Sequence, residues 1–270
     1  MSIVEVEHDG AVTLIRMNRP ERLNALGTEL RTALDAAWSD FRDSPTAEVA
    51  IFTGSGRAFC AGEDMKESLA RGAPGLAPGI DDPFMAGAID KPVIAAINGY
   101  AMGGGFRLVE RTDLRVAVRG AIFEMSEAKR WLLGGYQHGF LASVAHPVAT
   151  EMAFAFRFNA ERLHEIGFLN RLVDADDLIP EARAMADHLL SLPPASRVNT
   201  LTMSRAMRPS LPADRKALAA RLSDHGAKSD LMESRRAFAE KRAPRFRGWD
   251  DPADRRRTPT LESLEAEAER

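Results

Sequence analysis

Residues 92–105 read Pro92-Val93-Ile94-Ala95-Ala96-Ile97-Asn98-Gly99-Tyr100-Ala101-Met102-Gly103-Gly104-Gly105. The unbroken apolar run through Ile97, bounded by Asn-Gly, reads as a strand buried on both faces, spanning Pro92–Asn98. The glycines then open a short helix ending near Thr112. A glycine turn between strand and helix lets a ligand approach main-chain N–H groups closely. The positive end of the helix favours negative charge at the same place. The spacing fits neither a dinucleotide fingerprint nor a P-loop, so three glycines alone name no ligand.

A second turn of this kind lies upstream. Val49–Gly54 reads as a buried strand, and Ala58-Phe59-Cys60-Ala61-Gly62-Glu63-Asp64-Met65-Lys66 follows it and opens a helix. Two such turns facing one another would aim two backbone N–H donors at one carbonyl oxygen, an oxyanion hole. Further upstream, Ile3–His8 and Ala11–Met17 alternate apolar and polar residues around Asp9-Gly10, a hairpin signal. Leu30, Leu34, Ala37, Trp38 and Phe41 recur at helical spacing, predicting an amphipathic helix over 28–43. Strand, helix, strand in this order implies an α/β architecture with right-handed crossovers.

Downstream, Leu114–Val118 and Ala121–Phe123 read as paired strands, and a last strand falls near Phe168–Val173. Beyond Pro193-Pro194 the pattern is helical: Ser196–Met207, Pro212–His225 and Asp230–Lys241. Residues 250–270 are densely charged and are expected to project or fray. The Gly/Pro-rich segment Arg71–Asp82 reads as a mobile loop.

The 270 residues are 45% hydrophobic and 28% charged, which suits a globular protein and excludes a disordered or fibrous one. A net charge of -3 gives no electrostatic case for nucleic acid. Cys60 is the single cysteine, which excludes an internal disulfide framework and fits a reducing compartment. The first ten residues lack a signal pattern, and no apolar stretch approaches the roughly 20 residues of a membrane span. These features lead us to expect a cytoplasmic protein without membrane insertion. No His, Cys and carboxylate cluster has metal-ligand spacing, so no metal is expected.

Four segments together resemble the enoyl-CoA hydratase/isomerase (crotonase) superfamily. They are residues 17–26 (Met17-Asn18-Arg19-Pro20-Glu21-Arg22-Leu23-Asn24-Ala25-Leu26), Phe59–Lys66, Pro92–Gly105, and Phe238-Ala239-Glu240-Lys241-Arg242 with Pro244 and Phe246. The similarity runs in order over roughly residues 3–248. It implies an α/β fold, a spiral of ββα units over 1–194 holding an acyl-CoA pocket. A helical oligomerisation region over 195–249 would build trimers or hexamers, followed by the charged tail 250–270. Coenzyme A enters only as part of the thioester substrate, with no separate cofactor. The backbone N–H groups of Glu63 and Gly104 are the implied oxyanion donors, with Ala61 beside them. Lys66, Phe238 and Lys241 match positions that grip the CoA nucleotide, the last two often across a subunit boundary.

One departure bears on the reaction. The family's hydratases use two carboxylates, and the first position, two after Gly105, is Arg107. The second aligns with Glu127, with Glu124 a competitor three residues earlier. A cation facing Glu127 would favour its ionised form, able to take a proton but a poor donor near neutral pH. Single-glutamate proton transfer, as in the family's isomerases, is therefore favoured over two-glutamate hydration. Arg107 could instead recognise a carboxylate on the acyl group, or pair with Glu110 on the helix surface. The segment after Glu127 also lacks the family's usual proline and brings Tyr136, His138 and His146. A histidine there opens an alternative, a CoA-thioester hydrolase or C–C lyase. A non-catalytic acyl-CoA binder is the alternative outside enzymes.

Overall fold

The computed structural model describes residues 2–73 and 82–268. Most of the expected mobile loop, which from the resemblance would line the acyl end of the site, falls at residues 74–81, outside the described residues. In chain order the strands are β1 (Val4–Asp9), β2 (Val12–Met17), β3 (Val49–Gly54), β4 (Ala58–Cys60), β5 (Val93–Ile97), β6 (Tyr100–Met102), β7 (Leu114–Val118), β8 (Ile122–Glu124), β9 (Phe158–Asn159) and β10 (Arg171–Val173). The helices are α1 (Thr28–Asp43), α2 (Met65–Arg71), α3 (Pro83–Ala86), α4 (Gly104–Arg111), α5 (His146–Ala153), α6 (Ala160–Glu165), α7 (Leu178–Ser191), α8 (Pro194–Ala206), α9 (Ala213–Ser223), α10 (Ser229–Ala239) and α11 (Leu261–Ala268).

One compact unit lies within Met1–Asp64, Leu76–Glu124 and Arg157–Arg208. Its larger sheet has the order β1-β2-β3-β5-β7-β10, and its smaller sheet the order β4-β6-β8-β9. The chain alternates between them: β3, β5 and β7 enter the large sheet, and β4, β6 and β8 follow each into the small one. This repeat is the spiral of ββ turns, with α2 and α4 completing two of them as ββα units. The hairpin forms at Asp9-Gly10 with Asp9 opposite Val12 and Val4 opposite Met17. The inner strands β2, β3, β5 and β7 pair in parallel, which is why β3 and β5 are buried at every position and apolar but for Thr53, whose hydroxyl donates to the Ala96 carbonyl at 2.7 Å.

Leu178, Ala182 and Ala186 of α7 pack on Leu14, Ile51, Ile94 and Val116 of this sheet. Helix α1 buries Leu30, Leu34, Ala37, Trp38 and Phe41, the stripe its periodicity marks. Trp38 stacks on Phe84 at 4.4 Å between ring centroids, and Phe106 stacks on Phe168 at 5.0 Å.

The second unit lies within Met65–Gly75, Met125–Phe156 and Pro209–Arg270. Here α2 packs on α10 around a fully buried arginine. The Arg235 Nε donates to Ser68 Oγ at 2.8 Å, and its Nη1 donates to the carbonyls of Leu231 at 2.8 Å and Arg130 at 3.2 Å. Its guanidinium sits 4.7 Å over the Trp131 ring. A buried cation needs such partners, since desolvation without them costs several kcal/mol.

Two expectations fail. Leu114–Val118 and 121–123 do not pair with each other: β7 joins β5 and β10, whereas β8 joins β6 and β9. The alternation between sheets carries the chain across after every large-sheet strand, so adjacent strands in sequence part company. The charged tail does not fray over its described length. Residues 252–257 form a 3-10 turn, and α11 packs on α9, with Arg221 donating to both oxygens of Glu267 at 2.9 and 3.1 Å. Its acidic residues find a basic partner helix, which charge density alone does not reveal. Among the described residues no helix is long and apolar enough to cross a membrane.

Candidate active site

The two glycine turns meet. A methyl group placed on Gly62, whose φ is +84°, would come 2.6 Å from the Met102 carbonyl oxygen and 3.2 Å from the Gly104 nitrogen. Only glycine accommodates that approach and that backbone conformation together. A methyl on Gly104 would lie 3.9 Å from the Glu63 nitrogen. The two expected donor N–H groups, of Glu63 and Gly104, therefore stand beside one another. Gly104 opens α4, so its N–H has no acceptor within its own helix. Ala61 precedes them, with its own N–H bonded to the Leu23 carbonyl at 2.9 Å.

Residues 19–26 hold this arrangement in place. The buried Asn24 amide donates to the carbonyls of Ser55, Ala58 and Phe59 at 3.0, 2.8 and 3.2 Å, and its oxygen accepts the Arg19 N–H at 2.9 Å. Arg19 forms an ion pair with Asp64 at 2.9 Å and bonds the Ala25 carbonyl at 3.1 Å. Leu26 donates to the Gly62 carbonyl at 2.7 Å. The first of the four segments that carry the resemblance is thus a brace around the donor turn rather than a set of reacting groups. Arg19, Asn24 and Asp64 were not singled out from the sequence. Their signal was a run of polar residues flanked by strand and helix, which has no period to read.

Cys60 is fully buried, and burial pushes its thiol up to about 12. It is a neutral packing residue at physiological pH, not a nucleophile. Arg107 lies in the first turn of α4 and is exposed, with its N–H on the Gly103 carbonyl at 3.1 Å. Glu124, the competitor for Glu127, ends β8 and holds Arg157 Nε at 3.0 Å, so it serves an ion pair.

In the second unit, Glu127 sits in a 3-10 turn spanning Ser126–Lys129. Its Oε1 lies 3.1 Å from His138 Nε2. The imidazole is wholly buried, while the carboxylate keeps 14% of its surface exposed. An ionised carboxylate can only accept, so this contact places the proton on Nε2. Glu127 Oε2 is buried and has no hydrogen-bond partner among the described residues. His138 was a side possibility in the sequence, and the structure joins it to Glu127. His146 begins α5 and is exposed, and Tyr136 is exposed with its hydroxyl accepting from Gln137 at 3.0 Å.

The three residues expected at the nucleotide are all at the surface of this unit. Lys66 is exposed in the first turn of α2. Phe238 is exposed on α10, with the Arg130 guanidinium 5.4 Å from its ring. Lys241 follows α10 in a left-handed conformation, φ 54°. The chain beyond it is strapped back by Glu233, whose carboxylate accepts from Arg242 and from the Arg245 N–H; this holds Glu233 down at about 2. Among the described residues no cluster of His, Cys and carboxylates could hold a metal ion.

Known proteins are similar to this chain over nearly its whole length. A family model described as enoyl-CoA hydratase/isomerase matches residues 7–249. A mevalonyl-coenzyme A hydratase from Aspergillus fumigatus is 32% identical over 248 residues, covering 87% of this chain and 91% of the relative. An (E)-benzylidenesuccinyl-CoA hydratase from Thauera aromatica is 32% identical over 262 residues, covering 91% and 99%. The crystal structure of a carnitinyl-CoA hydratase from Mycobacterium avium superposes with a TM-score of 0.77 at 28% identity, covering 92% and 99%. With paired glycine turns braced by residues 19–26 and a family match across 7–249, the chain belongs to the enoyl-CoA hydratase/isomerase family, the crotonase superfamily.

Proposed function

We propose that this enzyme moves a proton on an acyl-CoA thioester, with Glu127 as base and the N–H groups of Glu63 and Gly104 receiving the thioester oxygen. The observation that carries the reading is the state of Glu127. One oxygen is held by a buried imidazole, and the other is buried without a partner. A carboxylate fixed at one oxygen and unsatisfied at the other is prepared to accept a proton. The C–H bond beside the thioester breaks, and its proton passes to the Glu127 carboxylate, which keeps 14% of its surface exposed. The electron pair flows to the thioester oxygen, where the two donors stabilise the charge. Return of the proton to a different carbon shifts the double bond.

Arg107 at the first carboxylate position supports this single-glutamate transfer over two-glutamate hydration. Hydration or dehydration through Glu127 is the second reading, favoured by the hydratase names of the similar proteins. His138 is too deeply buried to meet a substrate itself, so we assign it a positioning role rather than that of a hydrolase base. Lys66, Phe238 and Lys241 would grip the nucleotide of coenzyme A, which enters only with the substrate. We place the enzyme in the cytoplasm.

The deciding experiment incubates the protein with 2-enoyl- and 3-enoyl-CoA thioesters in deuterated buffer and follows product mass. Deuterium uptake or double-bond migration without added water is the expected result. Gain of water establishes hydration and removes the argument from Arg107. Bound ligand with neither change leaves the non-catalytic binder. We further propose that residues 195–249 assemble trimers or hexamers; sedimentation equilibrium should give three or six chain masses, and a monomer refutes it.

A further inference from the structure

We propose that the acyl group taken by this enzyme carries a carboxylate of its own, bound by Arg31. The proposal rests on the acyl-thioester reading above, and adds the class of acyl group. Arg31 flanks the apolar stripe of α1, one position after Leu30, and is half-buried. Its Nε–H donates to the Leu26 carbonyl at 3.2 Å. The same carbonyl accepts the Asp64 N–H at 3.4 Å, and the Leu26 N–H bonds Gly62 at 2.7 Å. The guanidinium is therefore tied to the turn that presents the Glu63 N–H, the first thioester donor.

Its remaining donors are unused. Among the described residues, the Leu26 carbonyl is the one hydrogen-bond acceptor of the Arg31 side chain, and no carboxylate forms an ion pair with it. Burial, and then the charge of Arg107, hold the Arg31 guanidinium below its ordinary value, against the pull of Cys60, Glu63 and Asp82. Asp82 gives its Oδ1 to the N–H groups of Phe84 and Met85, both at 3.0 Å, capping α3. Glu63 and Asp82 act on Arg31 more strongly than Arg107 does, yet neither forms an ion pair with it, and its planar fork of N–H groups has no acceptor among the described residues.

An acyl chain that covered these donors without pairing them would strip their water at a cost. A carboxylate would replace that water, since it accepts two parallel N–H bonds from a guanidinium. A neutral alkyl chain would leave the fork unpaired, and sites built around a hydrogen-bonded group discriminate strongly against analogues lacking it.

Calorimetric binding of saturated thioesters separates this proposal from the proton-transfer reading, because no reaction is needed. Wild-type enzyme, Arg31→Met and Arg31→Lys would each be titrated with succinyl- and glutaryl-CoA, and with butyryl- and pentanoyl-CoA as neutral counterparts of matched length. Wild-type should bind one of the acidic thioesters at least about tenfold tighter than its neutral counterpart, as charge-assisted hydrogen bonds imply. That ratio should fall to about one in Arg31→Met and be partly retained in Arg31→Lys. Equal wild-type affinities overturn the proposal, and would mean that Glu63 or Asp82 suffices to balance Arg31. A ratio undiminished in Arg31→Met overturns it too. If the ratio holds while no enoyl thioester exchanges protons, the Glu127 reading fails and this one stands. If no thioester binds at all, both fall.

Discussion

Glu127→Gln is expected to lower turnover by about 10²–10⁴-fold, the usual contribution of a positioned acid/base group, with CoA-thioester affinity little changed. Glutamine keeps the shape and an oxygen that can accept the His138 Nε2–H, now 3.1 Å from Glu127 Oε1. What it removes is the carboxylate itself, replaced by an amide that cannot take a proton. Uptake of deuterium next to the thioester should be lost along with turnover. Unchanged turnover in this variant would take Glu127 out of the chemistry. Unchanged exchange with lost turnover would move it to a later step. A fall in both rate and affinity would instead point to collapse of the 3-10 turn, which near-UV circular dichroism would reveal.

Gly105→Ala should unfold the protein or cost it about 3 kcal/mol or more of stability. The added methyl would fall 2.1 Å from the Cys60 carbonyl oxygen and 2.8 Å from Cys60 Cβ. Neither atom belongs to a flexible chain end. Cys60 is in β4, paired with β6, and its neighbours are fixed by the Asn24 amide. Relief therefore requires α4 to move away from β4. Gly105 is the second residue of α4, so that movement also displaces the Gly104 N–H. Molecules that do fold should lose a further ~10²–10³-fold in turnover, the effect of removing one oxyanion donor. Urea unfolding and steady-state rates test both halves. A variant with wild-type midpoint and full turnover would show that β4 and α4 can part without consequence.

Much of the architecture was legible because it rests on period and composition. The apolar runs 49–54 and 93–97 read as buried strands since parallel strands covered on both faces tolerate no polar side. The stripe of α1 read correctly because one helix face meets the core. The glycine turns were visible because close main-chain approach excludes a side chain, as Gly62 and Gly105 illustrate. The short strands β4, β6 and β9 were missed: three or two residues carry no alternation, and their order comes from pairing partners distant in sequence.

By itself, then, the sequence determined the α/β class, the two donor turns and the candidate Glu127, all set by local pattern or by motif. Tertiary structure decided which polar groups meet. It closed His138 on Glu127 across eleven positions, although nothing in their spacing requires it. It gave Asn24 three carbonyls more than thirty residues away, assigned Glu124 to Arg157, and left the Arg31 fork without an acceptor. Hydrogen-bond partners are chosen by distance in space, and a single chain read in order records only distance along itself.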